Sequence, residues 1–138
     1  MVKILLIPEQ HPQQKNYQEL IRSILSHLNI SHGEMSISIL NEQQIKSYNY
    51  RYRQVNSPTD VISFPSEIEG DWGDILICPE IIKENAKRFN INFTQELIRV
   101  IAHGILHLLG YNHDNRLNKS KMFKLQEEIV KNMGDWIL

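Results

Sequence analysis

The segment from about Thr94 to Leu109 constrains the fold more than any other part of the chain. Leu97, Ile98, Val100, Ile101, Ala102, Ile105, Leu106, Leu108 and Leu109 cover most of the circumference of a helix with about 3.6 residues per turn. A helix apolar nearly all round cannot lie on a surface, so it has to run through the centre of the molecule. Against that background Arg99, His103 and His107 recur every four residues, with Glu96 about one turn before Arg99. One polar stripe on a buried helix must face a cavity, an opposite charge or a metal ion.

The rest of the chain has to cover this helix. Val2–Ile7, Met35–Leu40, Asp60–Phe64 and Gly73–Cys78 read as strands, the last as a continuous apolar run suited to burial on both faces. Helical spacing runs from about Tyr17 to Leu28. A further helix is predicted over Glu42–Arg53 behind an Asn41 cap, another from Pro79 to about Phe89, and a last over about Lys119–Asn132. Interleaved strands and helices predict an α/β (mixed α+β) fold: about four strands in a mixed sheet, packed with about five helices, the histidine helix central and buried. No repeat, linker or low-complexity segment divides the 138 residues, so residues 1–138 are read as a single domain.

Composition narrows the function classes. With 41% hydrophobic and 22% charged residues and a formal net charge of −1, there is no global signature of nucleic-acid binding, and any such affinity must come from a local patch. A single cysteine, Cys78, excludes an internal disulfide and a cysteine-built metal site. Its apolar neighbours predict a buried thiol at a strand end. The N-terminal run Met1–Pro8 is too short for a secretory core and lacks a cleavage site, and no apolar run approaches the roughly 20 residues of a membrane span. A soluble cytoplasmic protein without a membrane partner is expected.

His103 and His107, four apart on a helix, project from one face one turn apart, close enough for both rings to reach one ion. Gly110 can end the helix in a left-handed conformation, after which His113 could approach the same ion from a third direction. Three imidazoles would leave a fourth position open, as in catalytic rather than structural zinc sites. The spacing is that of the zinc-protease motif H-x-x-x-H-x-x-G-x-x-H, but Gly104 stands where the general-base Glu would follow the first histidine. Gly104 itself costs about 1 kcal/mol of helix propensity; it could serve close packing against a strand or clearance for a substrate. His11, His27 and His32 show no spacing pattern and read as surface residues.

A second constellation spans Asn49–Pro65. Lys46, Arg51 and Arg53 alternate with Tyr48, Tyr50 and Tyr52, three positive charges without an acid over eight residues. Cations for phosphates beside rings for bases are the ingredients of single-strand nucleic-acid binding; the same composition also describes a solvated helix face. Glu67, Glu69 and Asp71 read as a solvated loop, whereas Asp74, opening a buried strand, is expected to bind backbone or a histidine.

Together these stretches resemble the YbeY family of bacterial endoribonucleases. Its H-G-x-L-H-L-x-G-Y-D-H signature is matched by His103–His113, its N-x-x-Y-R-x-x-D-x-P-T-D-V-L-S-F-P segment by Asn49–Pro65, and a G-D-I strand by Gly73–Ile75. The resemblance covers roughly residues 35–130. It implies a single-strand-specific, zinc-dependent ribonuclease acting in ribosomal RNA maturation, including the small-subunit 3′ end, and in ribosome quality control. On it, His103, His107 and His113 are the ligands of one zinc per chain and Arg53 the essential arginine. Asn112 and Asn56 stand where the family commonly has Asp, which puts any carboxylate base in doubt; Asp114 could stand in.

The sequence thus leads to a metal-dependent hydrolase with catalytic Arg53, His103, His107 and His113, and with Lys46, Tyr50, Arg51 and Arg53 as RNA contacts. Expected partners are single-stranded and ribosomal RNA and the ribosome or its proteins, bound by a monomer. The ion would polarise a phosphoryl oxygen or activate a water, and Arg53 would grip the scissile phosphate; either water or the RNA 2′-hydroxyl could be the nucleophile. Alternatives are a zinc peptidase-like metallohydrolase, disfavoured by the missing base, and a non-catalytic ribosome-associated factor whose structural zinc takes Asp60, Asp74 or Asp114 as fourth ligand.

Overall fold

A computed structural model describes residues 1–112 and 115–136. Four strands, β1 (Lys3–Ile7), β2 (Glu34–Ile39), β3 (Val61–Pro65) and β4 (Asp71–Ile77), and five helices, α1 (Gln14–His27), α2 (Glu42–Arg53), α3 (Pro79–Phe89), α4 (Phe93–Leu108) and α5 (Arg116–Asn132), follow in the order β1 α1 β2 α2 β3 β4 α3 α4 α5. The sheet order is β1-β2-β4-β3, with β1, β2 and β4 parallel and β3 antiparallel on the edge. The expected mixed sheet and five helices are therefore what the chain builds.

The apolar helix α4 lies where its composition requires. It packs on β3 and β4 and is flanked by α1, α3 and α5. Leu97, Ile101, Ala102 and Ile105 are fully buried against Ile37, Ile75 and Ile77 of the sheet and Leu20, Ile21 and Ile24 of α1. Strand alternation sends Ile62 and Leu76 to the opposite face, where they meet Ile45 of α2 and Cys78. So α4 and α2 cover opposite faces of the sheet, and the edge strand β3 lies between them. Cys78 is buried as expected, and burial pushes its thiol pKa up.

Local chemistry fixes the element ends. Asn41 and Gln44 form a reciprocal capping box at the start of α2, and Pro79 opens α3. Asn92 and Asn115 accept the Gln95 and Asn118 backbone N–H groups to cap α4 and α5. Between β3 and β4 the backbones approach so closely at Gly73 (φ +124°) that a Cβ there would overlap the Phe64 carbonyl oxygen. Only glycine fits both the dihedral and the space.

The acidic stretch corrects two expectations. Asp71 is not in a solvated loop: it opens β4, half-buried, and its carboxylate accepts the Gly73 N–H at 3.0 Å. Among the described residues, Asp74 meets neither backbone nor histidine. It is exposed and accepts the Ser36 hydroxyl across the parallel β2–β4 pair. Alternation along β4 puts Gly73 and Ile75 toward the core beneath α4 and so turns Asp74 away from the histidines.

Candidate active site

His103 and His107 turn their rings to one side of α4, with centroids 4.6 Å apart, planes at 80° and the two Nε2 atoms 3.1 Å from each other. Nitrogens bound to one zinc at about 2.0–2.1 Å and a tetrahedral angle would be about 3.3 Å apart, so this pair fits an ion between them. His103 Nδ1 lies 2.9 Å from the Gln126 side-chain oxygen. With the amide oxygen toward the ring, Nδ1–H would donate and Nε2 would keep the lone pair a ligand needs. The rest of the polar stripe faces opposite charges: Arg99 donates to Glu96 at 2.9 Å and grips both Glu127 oxygens at 2.9 and 3.0 Å. The Arg99 guanidinium holds the Glu127 carboxyl below the usual carboxylate range, and the same bonds push the Arg99 pKa up.

Past His107 the helix closes as the glycine predicted. Gly110 has φ +100°, its N–H reaches the His107 carbonyl at 3.0 Å, and the Tyr111 N–H reaches Leu106 at 3.1 Å, the paired bonds of a Schellman turn. His113, the expected third ligand, and Asp114, the suggested substitute carboxylate, lie outside the described residues. Among the described residues no third His, Cys, Asp or Glu joins the pair in a metal-capable cluster. His27 and His32 are exposed and His11 is half-buried.

Arg53 comes to the same place from the other face of the sheet. A cleft of about 330 Å³ is lined by Tyr52 and Arg53 of α2, by β3, and by His103 and His107. It crosses the open edge of β3, bringing the two constellations of the sequence together. Asn49 holds the intervening loop to α2: its Nδ2 donates to the Ser57 carbonyl at 2.9 Å. Gly104 packs closely against β3 and β4: a Cβ there would sit 3.1 Å from Ile75 Cγ2 and 3.3 Å from Ser63 Oγ, and Ser63 Oγ donates to the Gly104 carbonyl at 3.3 Å.

The other expected RNA contacts do not line this cleft. Lys46, Tyr50 and Arg51 are exposed on α2, whereas Tyr52, left out of the predicted contact set, reaches it. Helix geometry gives the reason. Ile45 and Asn49 face inward, and position 52 continues that stripe, while 50 and 51 are rotated from it by more than about 100°; Lys46 lies about two turns before Arg53 along the helix axis. Tyr52 meets Phe64 edge-on at 5.0 Å and stacks on Tyr48 at 6.1 Å, with the Arg51 guanidinium 5.9 Å from the Tyr48 ring centroid. A row of rings therefore leads along α2 into the cleft. A larger hollow of about 640 Å³ between the N-terminus and the end of α1 brings no histidine or carboxylate together among the described residues.

With this geometry in view, the likeness to known proteins is informative. The family model described as Endoribonuclease YbeY matches residues 6–134. A protein of Thermotoga maritima named Endoribonuclease YbeY is 36% identical, over 99% of this chain and 91% of its own length. One of the same name from Buchnera aphidicola is 39% identical over 89% of this chain and 83% of its own. The solution structure of the Thermotoga maritima protein TM1509 superposes with a TM-score of 0.72 at 34% identity, covering 99% of this chain and 91% of that one. The match reaches well beyond the motif region, into β1 and α1, and the enzyme class expected from the sequence is the one these relatives are named for. The chain belongs to the endoribonuclease YbeY family.

Proposed function

We propose that this chain is a zinc-dependent, single-strand-specific endoribonuclease that acts in ribosomal RNA processing, including small-subunit 3′-end maturation, and in ribosome quality control. Family membership supports the nuclease class, and the cleft across β3 is the observation that carries the rest, because it faces a histidine pair toward an arginine and a row of rings. His103, His107 and His113 would hold the zinc, which when bound supplies a Lewis acid for a phosphoryl oxygen. Arg53 presents a planar fork to the scissile phosphate and stabilises charge as it develops there. Tyr52, with Phe64 behind it, offers a stacking face to an unpaired base, which a duplex would not present. Gly104 occupies the position of the protease base, and among the described residues that line the cleft there is no carboxylate to serve peptide hydrolysis by the zinc-protease route.

The same proposal makes the protein a cytoplasmic monomer whose partners are ribosomal RNA and the ribosome or its proteins. No helix among the described residues is long and apolar enough to cross a membrane. The test is to measure zinc content and cleavage of labelled single-stranded RNA, with duplex RNA and casein as controls, in the parent protein and in His103→Ala and His107→Ala. Loss of both zinc and RNA cleavage in the folded variants is expected. Full metal occupancy, or unchanged cleavage, in both variants would contradict the assignment.

A further inference from the structure

Behind His103 runs an unbroken chain of hydrogen bonds between α4 and α5. His103 Nδ1 meets Gln126 Oε1 at 2.9 Å, Gln126 Nε2 donates to Glu127 Oε2 at 3.0 Å, and Arg99 clamps Glu127 from one side while donating to Glu96 on the other. Gln126 is 7% exposed and Glu96 5%, so both are withdrawn from water that could substitute for their partners. An amide can face two ways, and which end meets the histidine decides which ring nitrogen carries the proton. Here the choice is dictated. A carboxylate can only accept, so the Gln126 nitrogen must turn to Glu127 and its oxygen must turn to His103.

We infer that Gln126 is a positioning residue for the active site, and that the Glu127–Arg99–Glu96 ion pairs set its orientation. The chain keeps His103 as the Nδ1–H tautomer, with the Nε2 lone pair aimed at His107 before any ion arrives. Gln126 is neutral, so this support passes on orientation without adding a charge beside the ligand. A carboxylate in its place would add one, and here the charge sits one residue further back, paired with Arg99. The inference rests on the zinc reading of His103 for its consequence in metal affinity, but the tautomer itself is observable without metal.

Long-range proton–nitrogen NMR correlations on the full chain, metal-free and at a pH where the imidazoles are neutral, would read the tautomer directly. The parent protein should show His103 as Nδ1–H. Gln126→Met, close to the native side chain in shape but without an acceptor, should shift it toward Nε2–H. It should also weaken zinc binding about 10–100-fold in competition with a chromogenic chelator, and lower kcat with KM for RNA little changed. Glu127→Gln frees the amide to turn and should yield a mixture of tautomers. The exchanged pair Q126E/E127Q again presents an acceptor to His103 and should restore the parent tautomer. A His103 tautomer indifferent to all three changes would overturn the inference. A parent protein that binds no zinc, yet whose tautomer follows Gln126, would overturn the zinc reading and leave the positioning role standing.

Discussion

The two walls of the cleft are built in opposite ways. On the α4 side, each polar group is tied to another: His103 to Gln126, Gln126 to Glu127, Glu127 to Arg99, and Arg99 to Glu96, all against a core of fully buried aliphatic side chains. On the α2 side, only Ile45 and Asn49 are buried, while Tyr50 and Tyr52 are 60% and 56% exposed. Groups that stabilise a transition state gain from being fixed beforehand. Groups that hold a flexible strand of varied sequence gain from freedom to adjust. On the proposed function, the difference separates a wall for chemistry from a wall for binding, with Arg53 at their junction.

The largest expected effect tests that junction. Arg53→Lys keeps the charge and loses the bidentate fork, so cleavage at saturating RNA should fall about 10²–10³-fold, as for loss of one transition-state donor, with KM changed far less. Near-normal turnover in Arg53→Lys would move Arg53 to the binding wall. Gly104→Ala tests the packing of the chemical wall next. Overpacking costs about 1–3 kcal/mol and the better helix former returns about 1. Because Ile75 is fully buried in the sheet, with close neighbours to resist its shift, a net loss of up to about 2 kcal/mol is expected in denaturant unfolding. An unchanged midpoint with lost activity would instead favour the clearance account.

These two walls were unequally legible in the sequence. The ends of α2 and α3 could be read because Asn41 with Gln44, and Pro79, mark them chemically. α1 starts at Gln14 rather than Tyr17, and its N-cap Gln13 makes no side-chain hydrogen bond, so nothing local announces it. α5 starts at Arg116 behind Asn115, a cap that lay outside the apolar periodicity used to set its start. His103 and His107 stood out because a polar stripe on an apolar helix needs a partner. Gln126 and Glu127 did not, because their partners lie on α4 and only tertiary packing brings α5 against it. Tyr52 was distinguishable from Tyr50 in principle, through the i, i+4, i+7 stripe begun by Ile45 and Asn49, but a buried Asn is a weak marker of an inward face.

Smaller effects sharpen the contrast. Since Arg99 depresses the Glu127 pKa in the folded chain, this ion pair stabilises fully above the ordinary carboxylate value of about 4.3, and the contribution is lost as the pH falls through the lower folded value. Unfolding free energies measured from neutral into that acid range should lose about 1 kcal/mol that Glu127→Gln does not lose. Equal acid slopes in the two proteins would show that Arg99 does not hold Glu127 in solution. On the binding wall, Lys46→Ala and Arg51→Ala should weaken RNA binding modestly and flatten its salt dependence by about one unit of slope per contact, without changing kcat. A fall in kcat in either variant would place chemistry on the exposed face of α2.

The most direct test of the central claim, that the two constellations form one zinc-dependent ribonuclease site, is a zinc titration of metal-free protein followed by cleavage of labelled single-stranded RNA. Cleavage should rise in proportion to added zinc and level off at one ion per chain. Full cleavage before any zinc is added, or stoichiometric zinc binding that leaves the RNA intact, would contradict it.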